Sequence, residues 1–233
     1  WVPGEGTTEF MKPSGHSNGL TYDQDGRLVL AQHDGAVAKA NKDGSFEILV
    51  SSYKGKRLNS PNDLVVHSSG AIYFTDPPYG TSEEDRELDF QGIYRYTEDE
   101  GLKLLNSEFD RPNGIALSPD ERRLYVNDSK HNHIRVFHVK EDGSIDNGRM
   151  FAEMESEASG SADGMKIDAK GNVYSTGPGG LWIFSPKGAL IQQVETPRLT
   201  NLAWGGKDDK TLFMTSPEAV YKLKMKTKGH LSY

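Results

Sequence analysis

Five residues with a side-chain oxygen, Asn18, Asn62, Asn113, Asp163 and Asn201, each open the same phrase of sequence. The phrase is a polar residue, a short apolar-alternating run, a turn and a second run. It reads SNGLTYDQDGRLVLAQ from Ser17, PNDLVVHSSGAIYFTD from Pro61, RPNGIALSPDERRLYVNDS from Arg111, ADGMKIDAKGNVYSTG from Ala162 and TNLAWGGKDDKTLFMT from Thr200. Amide and carboxylate oxygens brought to one point suit a hard cation such as Ca²⁺, which takes six to eight oxygens and tolerates irregular geometry. Zinc would require His or Cys in their place. Taken singly, an Asn or Asp ahead of a strand need only make an Asx turn. In register they become candidates for one site, Asn62, Asn113 and Asp163 above the other two.

The elements that must position them are hairpins. The anchors recur roughly every 40 to 50 residues, the period of a propeller blade. The first unit predicts four strands, over 20–22, 28–31, 36–40 and 46–50, with turns at Asp25-Gly26 and Asp43-Gly44. The fold class expected is therefore all-β, a propeller with about five four-stranded blades, forming one domain over 1–233. In such a disc the first strand of each blade lines the axis, so residues entering those strands form a ring. An all-β sandwich could use similar short strands, but the register of the repeat opposes it. In the second unit, residues 77–90 are extra and carry Glu83-Glu84-Asp85, which predicts a loop over one face. The fifth unit has no clear fourth strand. Ahead of the first, a turn at Pro3-Gly4-Glu5-Gly6 and one strand over 7–11 are expected, and a short turn near 153–158.

Composition narrows the function. A net charge of −7 opposes a nucleic-acid partner, which needs a basic surface. With no cysteine, disulfides, thiolate metal sites and a cysteine nucleophile are excluded, and the compartment, cytoplasmic or periplasmic, stays open. No apolar run is long enough to span a membrane, so a soluble protein is expected. No G-x-S-x-G elbow is present, against a serine hydrolase. Asp23-Gln24-Asp25-Gly26 lacks the later Glu of an EF-hand and reads as a hairpin turn. Gly177-Pro178-Gly179-Gly180 opens no helix and cradles no phosphate. His131 and His133 form a His-x-His within a turn entering a strand, a weak transition-metal signal.

With NSPNDLVVHSSGAIYFTDPPYG from Asn59, RPNGIALSPDERRLYVNDS and SADGMKIDAKGNVYSTGPGGLWIFSPKG from Ser161, the chain resembles the gluconolactonase, regucalcin (SMP-30) and luciferin-regenerating-enzyme family. GKRLNSPND and YFTDPPYG place it nearest the bacterial gluconolactonases. The resemblance implies a six-bladed propeller with a divalent cation, usually Ca²⁺, in the central channel, and hydrolysis of sugar lactones. It also implies that Asn113 and Asp163 are metal ligands and that Asn62 contacts metal or substrate. The family's Glu-Gly-Pro ligand motif has no counterpart, since Glu5 lies in an outer turn. The chain therefore looks like a member lacking its N-terminal part, with an open edge through which a second copy could associate.

These residues predict a calcium-dependent lactonase in which Asp163 binds metal and orients or deprotonates the attacking water. Asn18, His33, Asn62, Tyr79 and Asn201 are the expected substrate contacts, with His16 and Asp128 as further candidates near the ring mouth. Two rival readings remain. One is a non-catalytic calcium-binding propeller module; the other is a phosphotriesterase-like hydrolase with Asp163 as nucleophile.

Overall fold

A computed structural model describes Val2 and residues 4–231, so Pro3 of the expected first turn lies outside the described residues. The described residues form strands, turns and no helix, and hence no helix long and apolar enough to cross a membrane. Four antiparallel sheets have four strands each and a fifth has three. The first blade is β1 (Ser17–Tyr22), β2 (Leu28–Gln32), β3 (Ala36–Ala40) and β4 (Phe46–Val50), followed by a small hairpin of β5 (Ser52–Tyr53) and β6 (Lys56–Arg57). The second is β7 (Leu64–Val66), β8 (Ile72–Asp76), β9 (Gly92–Thr97) and β10 (Gly101–Asn106). The third is β11 (Pro112–Leu117), β12 (Arg123–Asp128), β13 (His133–Val139) and β14 (Ile145–Glu153). The fourth is β15 (Met165–Ile167), β16 (Val173–Gly177), β17 (Gly180–Phe184) and β18 (Leu190–Glu195). The fifth, β19 (Asn201–Gly205), β20 (Thr211–Thr215) and β21 (Val220–Lys224), ends without a fourth strand, as its sequence suggested.

Each blade is a meander, and the first strands touch one another in the order β1, β7, β11, β15, β19 around the axis. The core lies between blades, because a twisted sheet with period-2 side chains offers an apolar face to each neighbour. β12 shows this directly. Leu124 and Val126 join the cluster shared with the second blade, with Ile93 and Phe109, while Tyr125 joins that shared with the fourth, with Trp182 and Phe184. Tyr125 is 1% exposed and meets Phe151 edge-on at 4.9 Å. Full burial of such a side chain contributes about 1.5–3 kcal/mol, so the blades are held mainly by their faces.

Two local expectations are corrected. Residues 7–11 form no strand; the chain there has only a turn closed by a Val2–Gly6 bridge, and Phe10 is 70% exposed with no partner strand to order it. The β5–β6 hairpin was not foreseen, although Lys54 and Gly55, with φ of 52° and 80°, make the paired left-handed turn that a tight hairpin needs. Residues 77–91 carry no strand, as expected for the long loop of the second blade, and near 153–158 the chain bends without a helical turn.

Candidate functional site

The anchors stand where their strands begin, and in two blades they occupy bulges. The β1–β2 register shifts between Ser17 and Leu20, and the β11–β12 register between Pro112 and Ile115, so Asn18-Gly19 stand opposite Ala31 alone and Asn113-Gly114 opposite Asn127 alone. A bulge re-aims the side chain beside it. Glycine follows because the next blade passes closely: a Cβ on Gly114 would collide with the Asp163 carbonyl and lie 2.8 Å from the Asn127 amide.

Two of the five anchors, Asn113 and Asp163, stand side by side, and Asn62 is buried at the entry to the second blade. Asn62 and Asn113 are 4% and 5% exposed, and Asp163 is half-buried. The Asn113 side chain donates to Ser129 Oγ at 3.0 Å and lies beside the Asp163 carboxyl, favouring its ionised form. Burial first, and then the charge of Asp63, push the Asp163 carboxyl up to about 7, against the opposing pull of Asn113 and Arg198. Asp63 itself is 2% exposed, 3.8 Å from Lys166 Nζ, and replaces the glycine that follows the other Asn and Asp anchors of the first four blades. Asn62 Nδ2 lies 3.4 Å from His33 Nε2, while Asn62 Oδ1 is buried with no hydrogen-bond partner among the described residues.

In the second and third blades the second strand fastens the next anchor, a device the sequence reading missed. Thr75, one residue before the end of β8, donates to the Asn113 carbonyl at 2.7 Å. Asn127, at the same place in β12, donates to the Asp163 carbonyl at 2.6 Å and accepts from Gly114 N at 2.8 Å. Ser129 bridges Asn113 to the Ala162 carbonyl. The recurring polar pair at the end of these strands, Thr75-Asp76 and Asn127-Asp128, was the available signal.

The other candidates divide. Tyr79, on the long loop, reaches the cluster: its phenol is raised by burial although the residue is 41% exposed, and it sits beside Ser129 and Asn113 in the fields of Asp163 and Arg111. Asn18 is exposed, with its amide nitrogen on the Asn62 carbonyl at 3.2 Å. Asn201 folds its oxygen onto its own chain at Leu202 N, 2.8 Å away, and packs against Gly164. His16 pairs with Asp34 at 2.7 Å. Asp128 spends both oxygens on backbone N–H groups of Asp110, Arg111, Lys130 and His131, so it braces the loop under the ring. His131 and His133 stack at 5.6 Å, and His131 pairs with Asp110. Among the described residues no three His, Asp or Glu side chains gather into a metal group, and Glu5 stands exposed in its turn.

The oxygen set nevertheless fits a hard cation on two observations. One amide oxygen is buried without a donor, and one carboxyl is held near two other oxygen-bearing residues, with burial and the charge of Asp63 disfavouring its ionised form.

Residues 1–218 match the SMP-30/gluconolactonase/LRE-like family model. The chain belongs to that family. It is 36% identical over 258 aligned positions to the gluconolactonase of Zymomonas mobilis, covering 98% of this chain and 72% of that protein. It is 26% identical to the diisopropyl-fluorophosphatase of Loligo vulgaris, covering 92% of this chain and 74% of that one. Among solved structures, a gluconolactonase from Xanthomonas campestris superposes with a TM-score of 0.84 at 33% identity, covering 92% of this chain and 74% of the other. The fold of the SMP-30/gluconolactonase family thus accounts for the five blades.

Proposed function

We propose that this chain hydrolyses sugar lactones, with Asn62, Asn113, Asp163 and Tyr79 forming the working mouth of the channel. The observation that carries the reading is the Asp163 carboxyl, half-buried beside Asn113 and Tyr79, in a family whose similar members include gluconolactonases. Held against a cation the carboxyl is ionised, so it can accept a hydrogen bond from the attacking water, orient it, and pass its proton to the departing ring oxygen. Tyr79 supplies a hydroxyl at the rim and Arg111 and Arg198 supply positive charge, suited to the hydroxyls of a sugar acid and to the negative charge that grows on the attacked carbonyl. Asn62, Asn113 and Asp163 would hold a divalent cation, Ca²⁺ by the hardness of an all-oxygen set, whose chemistry is to polarise the lactone carbonyl.

The likeness to the diisopropyl-fluorophosphatase favours one second reading, in which Asp163 attacks phosphorus in a phosphotriester. Hydrolysis in ¹⁸O-water separates the two: single-turnover transfer of ¹⁶O from Asp163 to product marks the nucleophile. The primary test is hydrolysis of glucono-δ-lactone by EDTA-treated protein before and after Ca²⁺ is restored, with Asp163→Asn alongside. Turnover restored by Ca²⁺ and lost in the variant is expected. Neither lactone nor phosphotriester turnover in restored protein would leave a non-catalytic binding module.

A further inference from the structure

We infer that His33 is a positioning residue for Asn62, fixing which end of that amide faces the channel. An amide nitrogen can only donate, so the 3.4 Å contact of Asn62 Nδ2 with His33 Nε2 requires Nε2 to carry its lone pair. The opposite end, Asn62 Oδ1, is then the end left buried without a donor. Were Nε2 protonated, the amide would turn over and offer two N–H groups where an oxygen is needed. An inverted amide repels a cation instead of coordinating it.

His33 is built into this place. It follows β2, its N–H donates to the His16 carbonyl at 3.1 Å, and the 77–91 loop closes on its flank. Gly80 of that loop lies so near that a Cβ there would stand 2.6 Å from His33 Cβ and 2.8 Å from its carbonyl oxygen. The same glycine donates from its N–H to Ser60 Oγ at 2.8 Å, two residues before Asn62. The inference rests on the reading of Asn62 as a cation ligand, and it moves His33 from contacting substrate to acting through Asn62.

The test measures Ca²⁺ affinity by calorimetry on EDTA-stripped protein. His33→Phe keeps a planar ring and removes the acceptor, and should weaken Ca²⁺ binding about tenfold or more, the scale on which outer partners tune a metal site. His33→Gln, whose Oε1 can accept, should recover most of that loss. In an Asn62→Ala background, His33→Phe should change nothing further. Should His33→Phe fail to fold, Gly80→Ala, which must displace His33, replaces it with the same expected weakening. Unchanged Ca²⁺ affinity with a raised KM would overturn the inference in favour of a substrate contact, as would effects that add in the Asn62→Ala background. Nitrogen NMR of the metal-free protein supplies the independent arm: Nε2 unprotonated is expected, and Nε2–H overturns the role of His33 alone. Wild-type protein that binds no divalent cation overturns the cation reading of Asn62, and this role with it.

Discussion

Asp76 carries a large pH-dependent effect on stability. It ends β8 at 0% exposure, and burial pushes its carboxyl from 3.8 up to about 7 despite N–H donors from Asn59 and Ser60 and the charge of Arg57. One oxygen accepts from Asn59 N at 2.9 Å, and the other is buried with no partner among the described residues. A folded-state pKa above the unfolded one means the native state binds the proton more tightly. Stability is therefore full at low pH and falls as pH rises from about 4 to about 7. A gap of about three pKa units at about 1.4 kcal/mol each costs about 4 kcal/mol once Asp76 is ionised, of which about 2.5 kcal/mol falls between pH 5 and pH 8. Asp76→Asn keeps the shape and the acceptor for Asn59 N while removing the charge. Urea unfolding of both proteins at pH 5, 6, 7 and 8 is the assay, and the remaining titrating groups cancel in the difference. The wild type should lose about 2.5 kcal/mol relative to the variant from pH 5 to pH 8. A difference constant to within about 0.5 kcal/mol over that range would refute the placement of an uncompensated carboxyl in the second blade.

Two further outcomes follow from the site. Asn127→Ala leaves Gly114 N and the Asp163 carbonyl without their buried partner, and should cost about 2–4 kcal/mol in urea unfolding, with a larger fractional loss of lactone turnover than of folded protein. Because the metal-free Asp163 carboxyl holds its proton up to about 7, Ca²⁺ must displace that proton at lower pH. Calorimetry should therefore show the Kd rising nearly tenfold for each pH unit below about 7 and flattening above it, with the steep portion absent in Asp163→Asn.

Much of this protein is written locally. The polar anchor, alternating run and turn specify each hairpin by period-2 burial and turn chemistry, which is why four complete blades and the three strands of the fifth appear where the repeat places them. Residues 7–11 show the limit, since a β-prone run has no strand to join unless the fold brings one. The ring is likewise only half legible. Residue type and register single out Asn62, Asn113 and Asp163, yet equivalent positions meet different fates: Asn201 closes on its own Leu202, and Asn18 serves the Asn62 backbone. Side-chain direction, unlike strand position, depends on what the neighbouring blade presents at the bulge. The proton affinities of Asp76 and Asp163, the staples from Thr75 and Asn127, and the His33 contact all join residues far apart in the chain. Burial and charge at a point are sums over everything packed around it. The sequence by itself therefore determines where each anchor stands on its strand, and the tertiary packing decides which way each one faces and whether it holds a proton.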